Sequence, residues 1–287
     1  MGAKKYEYTT IRLKSWNEYK SFIQQFSENW AFRGQANAEW VLNNAIERTD
    51  FIKFHKGVEA DFLAEFQRGA RNYLSRDEIP EHLIEWLALM QHHGAPTRLL
   101  DLTRSPYISA FFGFEQCTIQ EGHFIGIWGL NINYLKERAV AILSKEFEEA
   151  LQETKNLINE KLFEKIFIAN DRKLVFPVEP FRMNRRYSLQ QSVFVSTGIS
   201  EIPLMEQLLF LKENMKKAVV KIEIPTKFKK EALRDLQQMN LHRASLFPDL
   251  DGYAASLRLR YNSMKTPVEA KEEIKQKMKD KNYKFFP

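Results

Sequence analysis

Cysteine is nearly missing from this chain. Of its 287 residues only Cys117 carries a thiol, so no intrachain disulfide can form. A reducing compartment is compatible with that. No run approaches the roughly 18 apolar residues that a membrane-spanning helix needs. The opening "MGAKKYEYTT" has lysines with no apolar stretch behind them, so no secretory leader is expected. A cytoplasmic protein without a membrane partner is the expectation. Familiar signatures are missing too. There is no GxGxxG, no GxxxxGK[ST] and no GxSxG element, so Rossmann, P-loop and α/β-hydrolase readings lack their sequence basis. No pair of residues has the HxxxH or CxxC spacing of a zinc site, and no metal is expected.

What is present is ordinary in bulk. Hydrophobic residues make up 44% and charged residues 28%, which suits a globular chain with a substantial core. Phenylalanine occurs 22 times, so that core is expected to be aromatic-rich. The net charge of +6 hints at anionic partners. Half of the excess sits at residues 262–287, where seven lysines face four acids. That segment, from about 261, reads as a lysine-rich C-terminal helix or tail.

Punctuation divides the chain into elements. Ser15 with Glu18 is a capping-box pattern opening an amphipathic stretch to about Phe26. "WAFRG" reads as a short strand. Val58, Phe62, Phe66 and Ala70 recur every four residues, which makes a helical face between Gly57 and Leu74. Pro80 starts another helix that Gly94 ends. "APTRLLDLT" is extended, and Pro106 opens an apolar helix. "HFIGIWGL" is a strand, and a helical insertion follows over about 131–170. "KLVFPVEP", "QSVFVST" and "AVVKIEIP" read as three further strands. Helices near Phe228–Met239 and from about Pro248 close the chain. This order predicts an α+β fold rather than βαβ alternation, with residues 1–260 as one domain.

Polar residues concentrate in three places. "QHHGAPTRLLDLTRSP", Gln91 to Pro106, lies between apolar helices, so its groups must bond to each other or face a ligand. Arg98 and Asp101 are expected to form an internal ion pair, and His92 to report on that pair or on a ligand. "RMNRRYSLQQSVFVSTG" carries Arg182, Arg185 and Arg186 and, taken alone, reads as a basic loop before a strand. "LFPDLDGYAASL" has Asp249 and Asp251 ahead of a helix, where capping accounts for them.

Together these runs resemble the FRG domain family, named after its phenylalanine-arginine-glycine element. "FRGQ" at Phe32–Gln35, "QHHGAPTRLLDLTRSPYISAFFGF", "RYSLQQSVF" and "LFPDLDG" carry the resemblance, over about Ala31 to Leu257. His93 stands where the family usually has an aromatic, and Leu102 where tryptophan is common. A looser resemblance joins the chain to the mono-ADP-ribosyltransferases. These have an aromatic-arginine-glycine strand, a later strand ending in small hydroxyl residues, and a third beginning with glutamate or glutamine.

That second resemblance implies an ADP-ribosyltransferase-like split β-sheet core with a helical N-terminal segment and insertions. It also implies NAD as substrate. Arg33, Thr103, Ser105 and Gln190 would fall at catalytic positions. Arg33, Gly34, Gln35, His92, Arg98, Asp101, Arg186 and Gln191 would line the nucleotide site. Arginine would hold pyrophosphate or ribose oxygens with planar donors, the hydroxyls would orient the ribose, and Gly34 would let the backbone approach the ligand. Gln190 carries no negative charge, so transfer chemistry would need another acid such as Asp101.

The implied activity is ADP-ribose transfer to a protein or nucleic-acid acceptor, or NAD hydrolysis, as in toxins and phage-defence effectors. Two other readings stay open. One is a non-enzymatic nucleic-acid or nucleotide-binding module using Arg182, Arg185, Arg186 and the lysine tail. The other is a metal-dependent hydrolase using the histidines and aspartates.

Overall fold

The first helix begins where Ser15 accepts a hydrogen bond from Glu18 N, while Glu18 accepts one from Lys14 N. The Ser15 half is the capping box expected from the sequence, while Glu18 reaches back to Lys14 N rather than to Ser15 N. The structure, a computed structural model, describes residues 8–49, 57–153, 160–180, 184–263 and Lys275. Arg182 and nearly all of the lysine-rich tail lie outside the described residues. In chain order the first half contains β1 (Thr9–Arg12), α1 (Trp16–Phe22), β2 (Trp30–Gln35), α2 (Val58–Ala70), α3 (Leu83–His92), β3 (Leu99–Thr103), α4 (Pro106–Gln116) and β4 (Phe124–Asn131). Then come α5 (Ile132–Glu153), α6 (Glu160–Ala169), β5 (Val175–Val178), α7 (Arg185–Leu189) and β6 (Ser192–Thr197). The rest is α8 (Leu204–Gln207), α9 (Met215–Ala218), β7 (Val219–Pro225), α10 (Lys229–Gln238), α11 (Arg243–Leu246) and α12 (Leu250–Ser263).

The seven strands form one sheet in the order β1-β7-β4-β2-β3-β6-β5. Only β1 and β7 run parallel; every other neighbouring pair is antiparallel. The fold is therefore mixed α and β on a mixed sheet. β2 pairs with β4 from Trp30↔Asn131 to Gln35↔Gly126, and β3 pairs with β6 along its whole length. Between β2 and β3 the ladder is a single pair, Phe32↔Thr103. The sheet thus holds together at one point and opens beside it. Arg33 and Asp101 flank that opening.

Apolar layers cover both sides. Phe32, Ile125, Ile127, Ile222 and Ile224 pack under residues of α1, α4 and α10. Leu99, Phe176 and Phe194 pack under α2, α3 and α6. Leu100, Leu102, Trp128, Leu130, Val193 and Val195 face the start of α5 and the segment 204–218. Among the described residues no helix is long and apolar enough to cross a membrane.

Candidate functional site

Where β2 and β3 part, Arg33 bridges the gap. Its Nη1 donates to the Asp101 carbonyl oxygen at 2.8 Å, while its Nε is buried without any partner. Burial lowers the guanidinium's pKa, the neighbouring Asp101 carboxylate opposes that, and Arg48 adds to it. The cation is held inside the fold with its donors only partly used.

A cavity of about 170 Å³ opens against it, lined by Arg33, Ala45, Arg48, Gln91, Gly94, Ala95, Leu99, Leu100 and Asp101. Each lining element has a local cause. Helix α3 is capped by His93, and Gly94 takes a left-handed φ of +85°, which sends Ala95 N back to Met90 O at 2.9 Å. The short helical turn 46–48 is fixed by Asn44 Oδ1, which accepts from Glu47 N at 3.0 Å. It brings the exposed Arg48 to the rim, where Nη1 donates to Asn43 O at 2.9 Å. The Asp101 carboxylate has no hydrogen bond or ion pair among the described residues.

Several sequence-selected residues turn out to be committed to the scaffold. The expected Arg98–Asp101 pair does not form. Arg98 is buried and paired with Glu59, Nε to Oε2 at 2.6 Å, and Glu59 Oε1 accepts from Arg98 N at 2.6 Å. Its guanidinium also lies 4.3 Å from the Phe167 ring centroid. Residues 98 and 101 sit three apart along an extended segment, and the buried Glu59 of α2 reaches Arg98 instead. Gly34 is needed for packing. A Cβ there would lie 1.8 Å from Ser109 O, because α4 packs directly on the strand. Gln35 is spent inside the fold, accepting from Trp128 Nε1 at 2.8 Å and donating to Val41 O at 3.1 Å.

The hydroxyls are occupied as well. Thr103 Oγ1 donates to Gln190 O at 2.7 Å and accepts from Ser105 N at 3.1 Å. Ser105 caps α4, its Oγ accepting from Ile108 N at 3.3 Å. Gln190 Nε2 donates to Leu246 O at 3.0 Å, so its amide joins the β6 entrance to α11. Gln191 is exposed, with a left-handed φ of 48°. Asp249 caps α12 as its sequence position suggests, Oδ1 accepting from Gly252 N at 2.6 Å.

His92 lies just past the cavity, half-buried, with Asn184 Nδ2 and its own Nδ1 3.3 Å apart. Its ring stands edge-on to Tyr187, with centroids 5.9 Å apart. Burial lowers its pKa, Arg186 and His93 lower it further, and Asp249 and Asp101 pull the other way. Arg48 and Glu59 had no sequence signal as site or anchor residues. Glu59 falls between the apolar positions of the α2 face, and the sequence marks no element around Arg48. Among the described residues no three His, Cys, Asp or Glu side chains converge as a metal site requires.

Fold and site together define a mixed α and β protein whose sheet parts around an internal arginine. Residues 28–121, about a third of the chain, match the family model of the FRG domain. That segment runs from β2 through α4 and contains all of the residues that line the Arg33 cavity. The later runs that extended the resemblance to Leu257 lie beyond it. No curated protein and no solved structure matches the chain.

Proposed function

We propose that the opening between β2 and β3 binds NAD or a related nucleotide and supports ADP-ribose transfer or NAD hydrolysis. One observation carries this: Arg33 and Asp101 line the same cavity, each with hydrogen-bonding capacity left over. Support also comes from the strand arrangement, with Arg33 on β2, Thr103 on the adjacent β3 and Gln190 at the entrance of β6, next to β3. The cavity is smaller than the roughly 300–1,000 Å³ that encloses a whole drug-sized ligand. It takes one end of a dinucleotide, and the remainder lies outside it.

In this reading Arg33 holds ribose or phosphate oxygens through its planar donors. Asp101 supplies the negative charge that Gln190 lacks, stabilising the oxocarbenium-like sugar as the nicotinamide bond breaks. Thr103, Ser105 and Gln190 act by fixing β3, α4 and β6 relative to each other. Binding without turnover is the second reading. It is favoured by the engagement of the Gln190 amide with Leu246 O and by a lining in which, among the described residues, Asp101 is the one acid.

The test uses labelled NAD with and without cell lysate. Wild-type protein is expected to release nicotinamide. Arg33→Ala is expected to lose NAD binding, and Asp101→Asn to keep binding while turnover falls about a hundredfold, as for loss of one preorganised charge. Each variant's melting temperature reports whether it is folded. Binding with no nicotinamide release by the wild type would select the second reading, and no NAD binding at all would sink both.

A further inference from the structure

A second cation has a buried donor without a partner. Arg186, on α7, places its guanidinium over the Phe247 ring, 4.4 Å from the centroid. Arg243 lies over the same ring at 4.5 Å. Two cations on one ring repel unless each has a counter-charge. Arg243 has one, since its Nη1 donates to both Glu115 carboxylate oxygens at 2.9 and 3.0 Å. Arg186 has none. It makes no ion pair or side-chain hydrogen bond among the described residues, and its Nε is buried without a partner. A partly desolvated guanidinium with idle donors favours an anion of matching geometry.

Its place in the fold points to which anion. Asp101 interacts electrostatically with Arg33 and also with His92 and Tyr187. His92 and Tyr187 both feel Arg186. Contacts join the two places as well: Asn184, which caps α7, lies 3.3 Å from His92 Nδ1, and His92 follows Gln91 of the cavity lining. Thr103, two residues along β3, bonds to Gln190 at the end of α7, which fixes that helix against the strand.

We infer that Arg186 binds a phosphoryl group of the nucleotide whose other end enters the Arg33 cavity, with the Phe247 ring as its platform. This rests on the nucleotide reading of that cavity and assigns the part of the ligand the cavity leaves out.

Titration calorimetry of the full chain with inorganic pyrophosphate, ADP and acetate tests it. Pyrophosphate and ADP are expected to bind. Their affinity is expected to fall about ten- to a hundredfold in Arg186→Gln, the scale of a lost charge-assisted hydrogen bond, with Arg186→Lys in between. Wild type that binds neither phosphate compound, or an Arg186→Gln variant that binds like wild type, overturns the assignment. So does acetate binding as tightly as pyrophosphate.

A second measurement needs no substitution at Arg186. The His92 imidazole signal, identified by its loss in His92→Gln, is titrated by NMR with and without pyrophosphate. A bound phosphoryl group beside Arg186 raises the His92 pKa, and an unchanged titration overturns the inference even if Arg186→Gln cannot fold. The two proposals also fail separately. Phosphate binding through Arg186 without NAD turnover leaves this inference standing and removes transfer chemistry. NAD turnover with an unchanged KM in Arg186→Gln does the reverse.

Discussion

Arg98 and Arg33 carry the same charge into the same interior and end in opposite situations. Arg98 meets Glu59, which engages both its backbone N–H and its Nε. Arg33 meets one backbone carbonyl and a cavity. The difference predicts different mutant behaviour. Glu59→Gln leaves the Arg98 charge buried without its counter-ion and is expected to cost about 3–5 kcal/mol of stability in urea unfolding. A loss under about 1 kcal/mol would show that the pair is not what anchors α2 to β3. Arg33→Ala, by contrast, removes a cation with idle donors and is expected to act mainly on ligand binding. The sequence made Arg33 visible, because an arginine between aromatics is hard to satisfy locally. It hid Glu59, which follows Val58 one position off the apolar stripe of α2 and so reads as solvated. Burial of Glu59 depends on how α2 docks, and helical periodicity does not report docking.

At the level of elements, Gly34 is where strand and helix meet most closely. Gly34→Ala puts a methyl group 1.8 Å from Ser109 O and crowds Gly113 N at 2.8 Å. Both obstacles are backbone, so α4 must shift bodily, and close-packed interiors resist that. The expected cost is several kcal/mol, at or above the roughly 1–3 kcal/mol usual for overpacking, read as a lowered denaturation midpoint. A stability within about 0.5 kcal/mol of wild type, as at an ordinary surface position, would contradict this packing. Most elements were legible because local chemistry marks them. Ser105 and Pro106 open α4, Gly94 closes α3, and alternating β-branched residues mark β6 and β7. β1 was not legible. "TTIR" is short and largely exposed, and it becomes a strand only by pairing with β7 more than two hundred residues away. The short α7 and α11 escaped for a related reason: neither has room for a helical period, yet both position residues around Phe247.

Across the whole molecule, the cavity is encoded in one contiguous segment, while its surroundings are gathered from distant ones. Glu47 shows how the two are tied. It sits in the turn that carries Arg48, and its Oε1 accepts from Leu204 N at 2.9 Å, joining the turn to α8. Burial pushes its carboxyl up to about 7, although the Leu204 and Asn44 hydrogen bonds and Arg48 work against the shift. The folded chain therefore holds this proton more tightly than the unfolded chain, whose glutamate titrates near 4.3. Stability from this group is complete below about pH 4.3 and is lost as pH rises through about 7. The loss is about 3–4 kcal/mol. His92 has the opposite sign: its lowered pKa means that stability is lost as pH falls through the ordinary histidine range. The wild-type curve alone would mix the two effects. Subtracting it from that of Glu47→Gln, which keeps an acceptor for Leu204 N without the charge, isolates the carboxyl. The variant is expected to match wild type near pH 4 and to exceed it by that margin at pH 8, measured by chemical denaturation at both values. Parallel curves across the range would mean that Glu47 titrates as an ordinary surface acid and that water reaches the junction between the turn and α8.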